Sequence, residues 1–288
     1  MIDPTDAAER AALEALWAPT EPSPLAIDAA GIRFHALAWG APAAAPLVLM
    51  HGVTSSARGW WRVGPALAAA GYRVVAPDLP GHGLTGSWRG HAVLQDNAAD
   101  LAAFARAAFE AAPGDVRIVG HSWGALTAAW FPTVGYRPGR LVLVDPPTIP
   151  LEIIIRLLES PDDRHYDDVS TAVDAVGRQC PTWSYGDVTA KAESLTQFDE
   201  PAVVAILTGN GDWEGGLEAL ADPAARDVPT RLIRGDPAAG GYIPDAAVPA
   251  FEARLGAENV TTITGAPHSP HRTHPIETTT ALLRALAG

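Results

Sequence analysis

The stretch Val116-Arg117-Ile118-Val119-Gly120-His121-Ser122-Trp123-Gly124-Ala125-Leu126-Thr127-Ala128-Ala129-Trp130 decides the fold. An apolar run at 116–119 reads as a strand, and an alanine-rich run from 123 reads as a helix, with Gly-X-Ser-X-Gly between them. A serine on so sharp a strand-to-helix turn takes up strained backbone angles, and small residues two positions either side let the turn close. The turn lifts the hydroxyl above the carboxyl edge of a sheet, where α/β folds place their ligands. Ser122 is therefore expected to be a nucleophile. The bland alternative is a serine that only caps the helix N-terminus.

Working outward, short Val/Ile/Leu runs recur at 47–50, 73–76, 141–144, 231–233 and 260–263, each bounded by Gly, Pro or Asp. Near-continuous hydrophobicity over so few residues is the mark of a strand buried on both faces, as in a parallel sheet covered by helices. Helical patterns lie between them at 60–70, 92–112, 123–129, 245–255 and 276–286. The alternation predicts an α/β fold, a mostly parallel wound β-sheet flanked by helices. Residues 25–28 and 32–39 read as an antiparallel hairpin at the sheet edge, turning at 29–31.

After 144 the alternation stops, and it resumes at 231. The interval holds helix-like pieces at 153–158 and 203–207 and turn-rich pieces at 160–163 and 210–216. It is too long for a plain loop in a compact domain. The expected organisation is a core domain of residues 1–147 and 229–288, with an inserted helical cap at 148–228.

Composition narrows the function. Of 288 residues, 48% are hydrophobic and 18% charged, ample for a core and unlike a disordered chain. The 20 basic and 33 acidic residues give a net charge of −13, which argues against nucleic acid and against anionic lipid. A single cysteine, Cys180, forms no internal disulfide and suits a reducing compartment. The start MIDPTDAAER carries acids where a signal peptide carries bases, and no run approaches the ~18 apolar residues of a membrane span. A cytoplasmic location is the expectation.

Three further motifs carry chemistry. His51-Gly52-Val53-Thr54 follows the strand at 47–50, and the N–H of Val53 together with that of Trp123 would form an oxyanion hole. Fixed donors of this kind are typically worth ~10²–10³ in kcat. The imidazole of His51 organises the loop or reaches substrate. Asp78-Leu79-Pro80-Gly81-His82-Gly83 lacks the lysine and spacing of a phosphate loop. It reads as a structural turn, with Asp78 bonding loop amides and Gly81 and Gly83 at positive φ.

The last motif is Gly265-Ala266-Pro267-His268-Ser269-Pro270-His271, with His274 beyond it. The H-x₂-H-x₂-H spacing suggests metal, but it does not share one helix face and Pro270 interrupts a helix. No metal is expected. His268, after the last strand, is placed to act as the base for Ser122. An acid must fix its tautomer. Asp236 and Asp145 both follow predicted strands, and chain order does not choose between them.

These features together resemble the α/β-hydrolase fold superfamily, of the serine esterase, lipase and C–C hydrolase type with a helical cap. The resemblance spans residues 25–288. It implies Ser122 as nucleophile, His268 as base and the Val53 and Trp123 amides as oxyanion hole. It also implies an acid after the penultimate strand, which favours Asp236 over Asp145. The common form has the aspartate two or three residues beyond the glycine, whereas Asp236 follows Gly235 at once. Some relatives carry the acid one strand earlier, as at Asp145. Relatives that act as epoxide hydrolases or haloalkane dehalogenases use an aspartate at the elbow, and Ser122 sets this chain apart from those reactions.

The expected reaction is cleavage of an ester or lactone of a small to medium apolar substrate through an acyl-enzyme, without cofactor. His51, Trp183, Tyr185 and Trp213 are the candidate substrate-binding residues, and Tyr166 and Phe198 are further cap aromatics. Competing readings are a C–C bond hydrolase and a prolyl aminopeptidase-like amide hydrolase using Glu200 or Glu214. A cofactor-free perhydrolase and a ligand receptor without turnover remain as well. Partners reduce to the small-molecule substrate and, at most, a second copy in a homodimer.

Overall fold

The computed structural model describes residues 20–86, 92–158 and 163–287. The MIDPTDAAER start and most of the turn expected at 160–163 lie outside the described residues. The chain opens with β1 (Ser23–Ala29) and β2 (Ile32–Trp39), paired antiparallel from Ser23↔Ala38 to Ala29↔Ile32. Ala30 and Gly31 both have positive φ, the geometry of a two-residue hairpin turn whose twist matches the strands. Then follow β3 (Ala45–Met50), α1 (Val63–Ala69), β4 (Tyr72–Pro77), α2 (Leu94–Ala108), β5 (Arg117–His121), α3 (Trp123–Ala129) and β6 (Arg140–Val144).

Between β6 and the next strand of the main sheet lie β7 (Thr148–Ile149), α4 (Leu151–Leu158), α5 (Val169–Gln179), α6 (Tyr185–Leu195), α7 (Glu200–Thr208), β8 (Trp213–Glu214) and α8 (Leu217–Ala221). β7 and β8 pair antiparallel as a separate two-stranded ribbon. The chain closes with β9 (Thr230–Arg234), α9 (Val248–Leu255), β10 (Val260–Thr262), α10 (Pro270–Thr273) and α11 (Pro275–Ala287).

The eight-stranded sheet runs β1-β2-β4-β3-β5-β6-β9-β10, parallel from β4 onward. Successive side chains on a strand face opposite ways, and the core divides accordingly. Val48, Met50, Ile118, Leu141 and Leu143 join the cluster containing Leu101, Phe104 and Leu126 of α2 and α3. Leu47, Leu49, Val119, Val142 and Val144 join the opposite cluster, with Val63 and Leu67 of α1 and Leu282 and Leu286 of α11. Helices on both faces explain why these strands read as unbroken apolar runs.

The 145–229 segment is tied to the sheet domain at several places, among them the face of α6. Asp187 of α6 pairs with Arg62 and accepts from Trp61 Nε1 at 3.0 Å. Arg58 pairs with Glu193, and Ser56 Oγ lies 2.8 Å from Ser194 Oγ. No helix among the described residues is long and apolar enough to cross a membrane.

Candidate active site

Ser122 sits between β5 and α3 at φ 53°, ψ −122°, a conformation that non-glycine residues rarely hold. Close packing dictates the flanking glycines. A Cβ on Gly120 would stand 2.3 Å from Gly124 O, and one on Gly124 would stand 2.6 Å from the carbonyl oxygens of Met50 and His51. Gly52 is held by the serine itself, since its Cβ would lie 2.9 Å from Ser122 Cβ.

His268 reaches this elbow from the loop after β10. Its Nε2 is 2.9 Å from Ser122 Oγ, and its Nδ1 is 2.7 Å from Asp145 Oδ2. Asp145, at the end of β6, is fully buried and has φ 42°. Its Oδ1 accepts from Gly235 N–H at 2.9 Å and its Oδ2 from Tyr242 N–H at 3.0 Å. Burial alone would raise the Asp145 carboxyl. The bond and charge of His268 and the two amides outweigh burial and hold it below the usual carboxylate range. The carboxylate therefore takes the proton-bearing Nδ1 of His268 and leaves Nε2 to accept from the serine hydroxyl.

Asp236, the acid favoured from sequence, does not meet His268. Its Oδ1 accepts from Ala238 N–H and its Oδ2 from Gly265 N–H, both at 2.9 Å, so it braces two loops. The cause is the path of the chain after β9. Gly235 packs against the carbonyls of Ala266 and Pro267 and presents its own N–H to Asp145, and the turn that follows directs Asp236 sideways.

The N–H groups of Val53 and Trp123 find no acceptor among the described residues. That of Trp123 belongs to the first turn of α3, where amides have no intrahelical partner. Val53 lines the same cavity as Ser122, and Trp123 is its chain neighbour.

His51, expected among the substrate-binding residues, does not line the cavity that holds Ser122 and His268. It is buried outside the cavity, where its Nδ1 donates to Gly52 O at 2.7 Å and its Nε2 accepts from Leu79 N–H at 2.9 Å. Burial pushes its pKa down to about 4, so the ring is neutral and pins the Val53 loop to the Asp78 turn. That turn has the geometry expected of it. Asp78 accepts from the amides of Ala57 and Leu84 and faces His35 Nδ1 at 2.7 Å, with Gly81 at φ 78° and Gly83 at φ 55°.

A cavity of about 360 Å³ opens above Ser122 and His268. Phe198, Val203, Leu207, Trp183 and Trp213 supply apolar wall. Tyr185 does not: it is 79% exposed and belongs to a different surface depression, because it starts α6 on the outward side. Tyr166 is buried away from the cavity, Glu200 lines it, and Glu214 is exposed outside it.

Sequence reasoning missed several groups here. Tyr242 stacks on His268 at 4.0 Å, and His121 Nε2 donates to His268 O at 2.8 Å. Lys191 bridges Asp163 Oδ1 at 2.5 Å and Thr54 Oγ1 at 2.8 Å, and Arg272 adds a guanidinium to the lining. Only the position of His121 inside the elbow gives any hint of this.

Against this geometry, the comparisons are specific. A model described as "Alpha/beta hydrolase family" matches residues 47–282. The chain belongs to the alpha/beta hydrolase family. It is 30% identical to "Lipase LipV" of Mycobacterium tuberculosis (strain ATCC 25618 / H37Rv) over 246 residues, which is 79% of this chain and 87% of that protein. A shorter likeness, 36% over 112 residues, links 38% of this chain to 33% of "Epoxide hydrolase A" from the same organism. Among solved structures, E-2-(acetamidomethylene)succinate hydrolase superposes with a TM-score of 0.77 over 93% of this chain and 100% of that one, at 20% identity. That likeness concerns the fold alone.

In this hydrolase the remaining C-terminal histidines bond neither Ser122 nor Asp145. His271 is buried between Trp60 and His121, with ring centroids 4.9 and 4.6 Å apart, and its pKa is pushed well down by burial. His274 Nδ1 lies 3.0 Å from Thr273 Oγ1. Among the described residues no group of three or more His, Cys, Asp or Glu side chains is arranged to hold a metal.

Proposed function

We propose that the chain is a serine carboxylic ester hydrolase in which Ser122, His268 and Asp145 act as one triad. The observation that carries this reading is the double reach of His268, 2.9 Å to the Ser122 hydroxyl and 2.7 Å to the Asp145 carboxylate. Ser122 Oγ attacks the ester carbonyl carbon while its proton passes to His268 Nε2. The oxyanion is met by the Val53 and Trp123 amides. When the C–O bond breaks, the alcohol leaves with the proton held on Nε2. Water then attacks the acyl-enzyme, gives its proton to Nε2, and the acid is released as that proton returns to Ser122.

Asp145 stays ionised throughout and stabilises the imidazolium. Residues 148–228 are read as a cap closing the cavity over the sheet's carboxyl edge. Its apolar wall suits a small to medium acyl group, and the relative named a lipase supports ester cleavage. Hydrolysis of nitrophenyl esters of rising chain length tests the proposal. Turnover should peak at short or medium acyl groups, and Ser122→Ala should lose on the order of 10⁶ in kcat. Turnover that survives Ser122→Ala would remove the basis of the reading.

A further inference from the structure

The cavity above Ser122 contains one buried cation that no carboxylate meets among the described residues. Arg272, on α10 and four residues beyond His268, is 5% exposed and lines the cavity. A guanidinium carries five N–H donors and accepts nothing. Two of its contacts are hydrogen bonds to neutral oxygens, and both are long: Nη2 to Ser55 Oγ at 3.2 Å and Nη1 to Asp187 O at 3.4 Å. The third is the face of Trp183, 4.6 Å from the guanidinium carbon.

Among the described residues, the two aspartates on this side of the cavity are already engaged. The Asp187 carboxylate takes Arg62, Trp61 Nε1 and Ser184 Oγ, and Asp163 takes Lys191 and Thr54. Burial lowers the Arg272 pKa to about 10, against the weaker opposing pull of Cys180 and Asp163. It is still charged at neutral pH. Among the described residues, no carboxylate pairs with this buried cavity cation. A desolvated charge is costly unless a counter-charge arrives, and the open cavity beside Arg272 is where an anionic ligand group would sit.

We propose that Arg272 binds a free carboxylate on the substrate, so that the enzyme acts on esters of acid-bearing molecules rather than on wholly neutral ones. The inference rests on the serine hydrolase reading and specifies its substrate class. The planar fork of arginine matches a carboxylate through two parallel N–H···O bonds. Ser55, already bonded to Nη2, would hold the guanidinium in register. The carboxylate can belong to the acyl side or to the leaving group.

Paired kinetics test this with the full-length protein. For the acyl side, nitrophenyl monoesters of succinate, glutarate and adipate are compared with the matching neutral alkanoates. For the leaving group, 4-carboxyphenyl butyrate is compared with phenyl butyrate. At least one arm should favour the acid-bearing ester in kcat/KM by about tenfold or more. Arg272→Gln should erase that ratio, and Arg272→Lys should restore part of it. A dicarboxylate should inhibit the wild type at lower concentration than its diamide, a result that stands even if the variants fold poorly. No preference in either arm, or an unchanged ratio in a folded Arg272→Gln, overturns the proposal. A fluorophosphonate adduct on Ser122 in the same preparation keeps the hydrolase reading intact, and lack of one shows that the hydrolase reading itself has failed.

Discussion

Asp145 and His268 lie 123 residues apart in sequence and 2.7 Å apart in space, and this pairing leaves Asp236 without an imidazole to orient. The two aspartates make a matched comparison. Asp145→Asn keeps the shape of the side chain but favours the wrong histidine tautomer, so kcat should fall on the order of 10⁴. Asp236→Asn should change kcat by less than about threefold, with any effect appearing in stability through the lost amide bonds. Steady-state kinetics on one nitrophenyl ester measures both, and equal losses in the two variants would contradict the pairing.

The approach of Gly52 to Ser122 gives a second expectation. A methyl group there must displace the serine, and a shift of about 1 Å at a nucleophile costs on the order of 10² in rate. Gly52→Ala should therefore lose at least that factor in kcat while its circular dichroism and melting stay near wild type. A fully active Gly52→Ala would show that the loop moves freely.

Gly83 tests the turn beneath the site. Its φ is 55°, and a Cβ added there would stand 2.2 Å from Asp78 Cγ, which leaves no room for alanine. Gly83→Ala should destabilise by about 2–4 kcal/mol through strain and loss of Asp78's bonds. Urea unfolding would register this as a lower midpoint at an unchanged slope.

The buried histidines fix how stability responds to acid. Burial depresses His51 to about 4 and His82 and His121 to about 3, against 6.5 for a free imidazole. With the folded value below the unfolded one, their contribution is complete above pH 6.5. It is lost as pH falls from there toward the folded values, because the unfolded chain takes up the protons first. Each such ring contributes a slope of about 1.4 kcal/mol per pH unit in that window. The urea midpoint should drop steeply between pH 6.5 and 5 and stay level between 7 and 8. The depressed carboxyls of Asp78 and Asp145 follow the same sign at lower pH, near 4 and below. A midpoint that is flat from pH 7 to 5 would mean that these rings are hydrated.

How much of this is readable from sequence depends on whether the signal is local. β5 and Ser122 stand out because one short stretch carries strand, turn and helix. The sheet strands stand out because helices cover both of their faces. Asp145 and Asp236 cannot be separated by spacing, because the choice lies in a long-range fact. The chain passes itself at Gly235 and Gly241, where a Cβ on Gly241 would come within 2.7 Å of Gly235 C, and this pass aims two amides at Asp145. That His51 and Tyr185 do not line the cavity has a similar cause, since type and position do not reveal which way a side chain turns.

Two helices in the 145–229 segment, α5 and α6, are not among the helices expected from sequence, although α5 carries apolar residues at helical spacing at 169, 172, 173 and 176. Their starts are nonetheless marked locally. Asp168 and Ser184 each accept the backbone N–H three residues on, as helix N-caps do.

The chemistry turns on whether Ser122 is the activated nucleophile. Intact-mass analysis after treatment with a fluorophosphonate measures that directly. The wild type should gain one adduct, mapped to Ser122, and Ser122→Ala should gain none. His268→Ala should label far more slowly than wild type. An unlabelled wild type that still hydrolyses esters, or an adduct that persists in Ser122→Ala, would contradict the mechanism.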